Sequence, residues 1–214
     1  MKTLNTEVTP NSYTDYVSSA FDYTFTGKSE FKLPEFSIPE GDWDIGVIYG
    51  SSGSGKTQIL RHHFHYVEAN VIWDNNYAIV SNFRSGMEPK DVVAVLSAVG
   101  LGSVPTWCKP ANVLSNGERY RANVARMLTD SKAATDHICL DEFTSEVNRE
   151  TAKSLSTSLS KYLRRNNLKA VIASCHKDII NWLEPDWVFS CDESLTKFNE
   201  AKPNLKKVAK IEIY

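Results

Sequence analysis
Hydrophobic and polar positions change their period several times along the 214 residues of the chain. Between Phe21 and Ile38 aromatic or aliphatic residues alternate with polar ones, in Phe21-Asp22-Tyr23-Thr24-Phe25, Phe31-Lys32-Leu33 and Phe36-Ser37-Ile38. A period of two predicts short, half-buried antiparallel strands, which Pro34 and Pro39 confine to sheet edges. Residues 1–20, rich in Thr, Ser and Asn, predict a flexible lead-in. Alternation then gives way to continuous apolar runs at Ile45 to Tyr49, His137 to Leu140 and Leu168 to Ser174, the pattern of strands buried on both faces. Helices are predicted over Gln58 to Tyr66, Pro89 to Ala98, Tyr120 to Leu128 and Arg149 to Asn166, with Gly100, Gly102 and Pro105 as stop signals after the second and a loop over Gly102 to Asn112. Val71 to Trp73 and Tyr77 to Val80 read as two more strands around an Asp74-Asn75-Asn76 turn. Trp182 to Phe189 is a last apolar segment, and the tail from Glu193 is polar until Ile211-Glu212-Ile213. Apolar runs alternating with helices predict an α/β fold: a mainly parallel core sheet flanked by helices.

Composition adds limits. The length suits one α/β domain, and 42% hydrophobic with 23% charged residues is ordinary for a globular chain. A formal net charge of −2 supplies no global attraction to a polyanion, so nucleic-acid contact would need a local patch such as Lys161 to Arg165 or the Lys202 to Lys210 tail. Both patches also suit a solvated surface. The longest weakly polar run, Val92 to Gly102, falls well short of the ~20 residues of a spanning helix. The start, Met1 to Asn11, is too polar for a signal peptide. Cys108, Cys139, Cys175 and Cys191 are widely spaced, which predicts reduced thiols and a cytoplasmic setting.

Candidate chemistry begins at Gly50-Ser51-Ser52-Gly53-Ser54-Gly55-Lys56-Thr57, which fits G-x-x-x-x-G-K-[ST] and follows a predicted buried strand. Glycines let successive backbone N–H groups converge on one concave point. Lys56 brings a positive charge to β- and γ-phosphates, and the Thr57 hydroxyl suits Mg²⁺. Gln58 opens the following helix, whose dipole adds to the attraction for an anion. Together these residues predict binding of a nucleoside triphosphate. Arg61, His62, His63 and His65 crowd that helix, but the adjacent His62 and His63 cannot share a face and no further ligand completes a metal set.

A second glycine-bearing turn, Leu114-Ser115-Asn116-Gly117-Glu118-Arg119, opens another helix. Ser115 and Glu118 have the spacing of a capping box, and Ser115 with Gly117 equally suits an anion site; the residues alone leave both open. The run His137 to Leu140 ends in two carboxylates, Asp141 and Glu142. Parallel sheets place ligands at the carboxyl ends of their strands, so Asp141 is expected on Mg²⁺ and Glu142 on an attacking water. His176 follows the next apolar run and is expected at the same edge, within reach of a γ-phosphate.

In this order the motifs resemble those of the ATP-binding-cassette (ABC) ATPase family, from about Phe31 to His176. Walker A is Gly50 to Thr57. The L-S-G-G-Q signature appears as Leu114 to Glu118, and Walker B is Ile138 to Asp141 with Glu142 after it. The D-loop falls at Ser145 to Asn148 and the switch histidine at His176. The resemblance implies a P-loop NTPase fold of ABC type, with an N-terminal antiparallel β subdomain and a reduced helical subdomain at roughly 83–128, all within one domain over 21–214. It further implies ATP and Mg²⁺ as ligands. It also implies a head-to-tail homodimer in which Ser115, Gly117 and Glu118 cover the nucleotide held by the other subunit. Lys56, Glu142 and His176 would be the catalytic residues, with Thr57 and Asp141 on the metal. Asn82 is the nearest substitute for the family's metal-side glutamine, and Phe21 or Tyr23 are candidates to stack on adenine. Asn116, Phe143 and Asn148 replace the family's glycine, proline and aspartate. Only 32 residues separate Asn82 from Ser115, which favours a soluble switch acting on a nucleic-acid or protein client. The alternatives are the energy-coupling subunit of a membrane transporter and a nucleotide-binding module with little hydrolysis.

Overall fold
The structure is a computed structural model and describes residues 3–68, 70–130 and 137–199. The Lys202 to Lys210 tail and the Ile211 to Ile213 alternation lie outside the described residues. Two compact units are distinguished, Met1–Glu35 and Phe36–Tyr214.

In the first unit β1 (Thr3–Glu7) pairs antiparallel with β2 (Lys28–Lys32), and α1 (Ser12–Ala20) lies between them in sequence. The antiparallel pair was expected; its first strand was not. Residues 3–20, read as a lead-in, hold a strand and a helix instead. The helix starts at Asn11, whose side chain accepts the N–H groups of Tyr13 and Thr14 while the Thr14 hydroxyl donates back to the Asn11 carbonyl. The alternating Phe21 to Phe25 stretch is no strand. Phe21 closes α1 with its N–H on the Val17 carbonyl, and Asp22 takes φ +50°, which ends any extended run. Phe21 and Tyr23 are 74% and 61% exposed.

The second unit is built on a five-stranded sheet of order β4-β5-β3-β6-β7, comprising β3 (Ile45–Tyr49), β4 (Ile138–Leu140), β5 (Ala170–Ser174), β6 (Trp187–Ser190) and β7 (Leu195–Phe198). The first four strands run parallel, and β7 is antiparallel to β6. Ile45, Val47, Ile48 and all of Ala170 to Ala173 are fully buried, as their uninterrupted apolar runs predict. Gly46 belongs to this core for a steric reason. A Cβ there would stand 2.0 Å from the indole of Trp187. One Asp186 carboxylate oxygen accepts the N–H groups of Asp44 and Ile45, both at 2.8 Å, and Arg164 donates to the same carboxylate, which anchors the start of β3.

The remaining helices are α2 (Lys56–His63), α3 (Pro89–Ala98), α4 (Val104–Trp107), α5 (Asn116–Asp130), α6 (Arg149–Arg165) and α7 (Ile179–Leu183). Helices α3, α4 and most of α5 occupy the 83–128 stretch. Phe36 is not in a strand; it is buried against Phe64, Trp187 and Phe189. The strands expected over Val71 to Val80 are also absent: the stretch is a loop leading to a single 3₁₀ turn, Ile79–Ser81. Its backbone groups pair with side chains of its own. Asn82 Oδ1 accepts the Asp74 N–H, and Asp74 accepts that of Asn76. Local polar side chains thus supply what a neighbouring strand would have supplied.

Candidate functional site
The phosphate-loop sequence leaves the carboxyl end of β3 and runs into α2. Gly53 and Gly55 have φ of +77° and +97°, a region L side chains rarely adopt. Gly50 is required by contact: a Cβ there would lie 2.6 Å from Ser54 Oγ and 2.9 Å from Cys191 Cβ. Ser52 is exposed on the loop and Gln58 sits in the first turn of α2. Lys56 is 5% exposed and donates to the carbonyls of Gly50 (2.9 Å) and Ser51 (2.8 Å), so its charge is held inside the loop. The Thr57 hydroxyl donates to Asp141 Oδ2 at 2.7 Å. This contact joins residues 84 positions apart and ties the phosphate loop to the carboxylate strand. A cradle closed to side chains, an internal cation and paired hydroxyl and carboxylate oxygens fit a Mg²⁺-nucleotide.

Asp141 and Glu142 emerge from the end of β4, His176 from beyond the end of β5, and β5 lies between β4 and β3. The sheet therefore brings the phosphate loop, both carboxylates and His176 to one edge. Glu142 is exposed, and its N–H donates to Asp141 Oδ1 at 3.0 Å. Its φ of +48°, and that of Thr144 at +67°, are left-handed values that cost non-glycine residues on the order of 1–3 kcal/mol each. Between them Phe143 is fully buried, donating its N–H to the Ala173 carbonyl (2.9 Å) and accepting from Ser174 Oγ (2.8 Å). Proline at position 143 would lack that donor, so this departure from the family pattern adds a backbone bond to β5. Ser174 Oγ also accepts the His176 N–H at 3.1 Å. Cys139, beside Asp141, has its thiol pushed up to about 12 by burial first and by that carboxylate second.

Ser115, Gly117 and Glu118 form a turn of their own at the start of α5. Glu118 accepts from both the N–H and the hydroxyl of Ser115, each at 2.9 Å, and its own N–H donates to Ser115 Oγ at 3.3 Å. This is the reciprocal capping box the spacing allows. The Ser115 N–H, then its hydroxyl, hold the Glu118 carboxyl below its ordinary value. A Cβ on Gly117 would meet only Val147, at an ordinary 3.6 Å. Packing within one copy therefore leaves this glycine unexplained. Asn82, expected on the metal, spends its carboxamide on its own loop, donating to the carbonyls of Asp74 (3.2 Å) and Ala78 (3.0 Å) besides accepting from Asp74.

One contact carries no signal in the sequence. Asp192, in the turn after β6, accepts from the Ser51 N–H at 3.0 Å and from the Ser51 hydroxyl at 2.8 Å. Those two donors, hydroxyl first, draw the Asp192 carboxyl below its usual value. Only the alignment of β6 against β3 brings it to the loop.

No family model matches the chain. Two curated sequences, both named Energy-dependent translational throttle protein EttA, from the CDC 1551 / Oshkosh and H37Rv strains of Mycobacterium tuberculosis, are 29% identical to it over 167 residues. The match covers 66% of this chain and 29% of those proteins, so the chain spans less than a third of their length. Among solved structures it is similar to the ATP-binding cassette MJ0796 in a dimeric post-hydrolysis state bound to ADP and Pi. That likeness has a TM-score of 0.56 and 15% identity, over 76% of this chain and 88% of that one. A second dimeric MJ0796 structure, described as a bacterial ABC transporter cassette, gives 0.50 and 13% over 75% and 83%. At such identities the solved structures bear on fold alone. In its fold the chain is thus similar to ATP-binding cassettes, and in sequence to those EttA proteins, with phosphate loop, Ser115 turn, carboxylate strand and His176 in the order the resemblance implies.

Proposed function
We propose that the chain binds and hydrolyses Mg²⁺-ATP as one half of a head-to-tail pair. The observation that carries this reading is the Thr57 to Asp141 bond, because it unites phosphate loop and carboxylate strand at one sheet edge. Lys56, now on two loop carbonyls, would exchange them for phosphate oxygens as the nucleotide enters. The backbone N–H groups of Gly53 to Gln58 would cradle the phosphates at the start of α2. Thr57 and Asp141 would hold Mg²⁺, which when bound supplies charge neutralisation at the β- and γ-phosphates. Glu142 would orient the attacking water in line with the γ-phosphorus, and His176 would donate to a γ-oxygen. Ser115 and Gly117 of a second copy would cover the nucleotide, giving Gly117 the reason that packing within one copy lacks.

Pairing means that ATP closes the two copies and hydrolysis releases them, a switch whose output goes to a client. We assign that client to the nucleic-acid or nucleic-acid–protein class. Two things support this: the translational role in the relatives' name, and an open cavity of about 1300 Å³ with Arg84, Lys161, Arg165 and Lys169 outnumbering Glu88 and Asp91. No helix among the described residues is long and apolar enough to cross a membrane. The central test is Glu142→Gln. ATP turnover is expected to fall at least ~100-fold, with an ATP-dependent dimer accumulating in light scattering. Wild-type turnover from a monomeric variant would overturn the reading.

A further inference from the structure
The backbone around Glu142 needs holding. Two of three consecutive residues, Glu142 and Thr144, are non-glycine residues in left-handed conformations, and such geometry persists only where the surroundings over-determine it. Phe143 is pinned to β5 by its N–H and its carbonyl. Past it, Thr144 is 0% exposed, so its N–H has no route to water. That N–H donates to the Tyr120 hydroxyl at 2.8 Å. The Thr144 hydroxyl accepts from Arg149 Nη1 at 3.4 Å, and Arg149 is itself held by the Asp178 carboxylate. Of these anchors, Tyr120 alone comes from α5, five residues beyond Ser115 on the helix that the signature turn opens. One phenol thus connects that helix to the segment carrying the Walker B glutamate. Burial pushes this phenol well above its ordinary value, so it stays protonated near neutral pH.

We propose that Tyr120 is a positioning residue that couples the two nucleotide sites of the pair. When the signature turn closes on a partner's nucleotide, α5 moves as a unit. Through Tyr120 it shifts Thr144, and with it the carboxylate of Glu142 that serves the nucleotide in the same copy's own phosphate loop. The left-handed Thr144 makes the link stiff, because a β-branched residue there has little freedom to absorb the displacement. This proposal rests on the ATPase reading above and predicts cooperativity in ATP that depends on a residue touching no nucleotide.

The test is steady-state ATP turnover by the full-length wild type, Tyr120→Phe, Thr144→Gly and the double variant, with unfolding midpoints measured alongside. Wild type is expected to show a Hill coefficient for ATP clearly above one. Tyr120→Phe should lower kcat about tenfold with KM within about threefold, as misplacement of a catalytic group does, and should bring the Hill coefficient to about one. Glycine adopts positive φ freely, so Thr144→Gly should by itself abolish cooperativity, and adding Tyr120→Phe to it should change kcat less than about twofold. A purely structural role would lower the unfolding midpoint and leave the Hill coefficient where it was, and that result overturns the proposal. So does a wild-type Hill coefficient of one. If Tyr120→Phe fails to fold, Thr144→Gly decides alone: retained cooperativity refutes the coupling, lost cooperativity at unchanged KM supports it. A wild type without any ATP turnover overturns the ATPase reading, and the coupling with it, whereas turnover that ignores both substitutions overturns the coupling alone.

Discussion

Asp192 illustrates how a residue outside every motif can condition a motif. Its carboxylate accepts from the N–H and the hydroxyl of Ser51, next to a lysine whose ammonium donates to the carbonyls of Gly50 and Ser51. Loss of that hold leaves the loop's entrance free to sample conformations that the phosphates must then select against. Asp192→Ala is therefore expected to raise the KM for ATP about threefold with kcat nearly unchanged, the scale of an exposed contact. The contact has a definite pH sense. Because the folded carboxyl titrates below its ordinary value, the contact is complete above the ordinary aspartate range and is lost as pH falls through the lowered folded value. The KM difference between wild type and Asp192→Ala should accordingly shrink on acidification. A difference that stays constant down to the acid limit of folding would show the carboxylate is not involved.

At the scale of the element, α5 would do two jobs with one N-terminus in the proposed pair. Its capping box satisfies orphan N–H groups through Ser115 and Glu118, and the same serine is the residue expected on a partner's γ-phosphate. Ser115 cannot serve both uses with one unchanged set of bonds. In the proposed pair, capping would therefore compete with nucleotide contact, and the helix start is expected to loosen or rearrange on closure. Ser115→Ala should cost about 1 kcal/mol of stability, the usual worth of a serine cap, in denaturant unfolding at neutral pH. Glu118 adds a pH dependence. Its folded carboxyl lies below its ordinary value, so the stability it contributes is present above the ordinary glutamate range and disappears as pH falls through the folded one. Glu118→Gln should flatten that acid limb of the wild-type profile. An unchanged limb would assign the acid sensitivity to other carboxylates.

For the whole molecule, the proposed switch calls for a client of the proposed nucleic-acid class. A formal net charge of −2 makes long-range attraction to a polyanion a local matter, and among the described residues Arg84, Lys161, Arg165 and Lys169 line one cavity. Exchanging Lys161 and Arg165 for glutamates should weaken RNA binding in a filter assay. The slope of log affinity against log salt should become shallower by about one to two, since each lost phosphate contact removes close to one released counterion. Equal affinities and slopes for wild type and variant would move the client contact elsewhere or to a protein.

How much of this was legible beforehand follows from the range of each interaction. The phosphate loop, Asp141 and Glu142, and the end-of-strand place of His176 were readable because each depends on a short contiguous pattern: glycines where φ must be positive, an apolar run buried on both faces, and polar residues where that run ends. A mainly parallel sheet was implied by the same runs, but not the order β4-β5-β3-β6-β7 that gathers these residues, because an apolar run fixes burial and not which strand is its neighbour. The N-terminal strand, the loop over Val71 to Val80 and the bent segment at Glu142 to Thr144 were not readable. The Thr3 to Glu7 strand is polar and held by backbone pairing. Residues 71–73 and 77–80 are apolar runs like those of strands, yet the Asp74 and Asn82 side chains bond the backbone of the loop instead. Ser51 to Asp192 and Tyr120 to Thr144 join positions 141 and 24 residues apart. Taken alone, the sequence determined the class of fold and which short motifs stand at the ends of its buried strands, since both are set by local backbone conformation and burial. Only the tertiary structure decided which distant hydroxyl and carboxylate hold those motifs in place, because a single long-range hydrogen bond leaves no periodic trace in the chain that forms it.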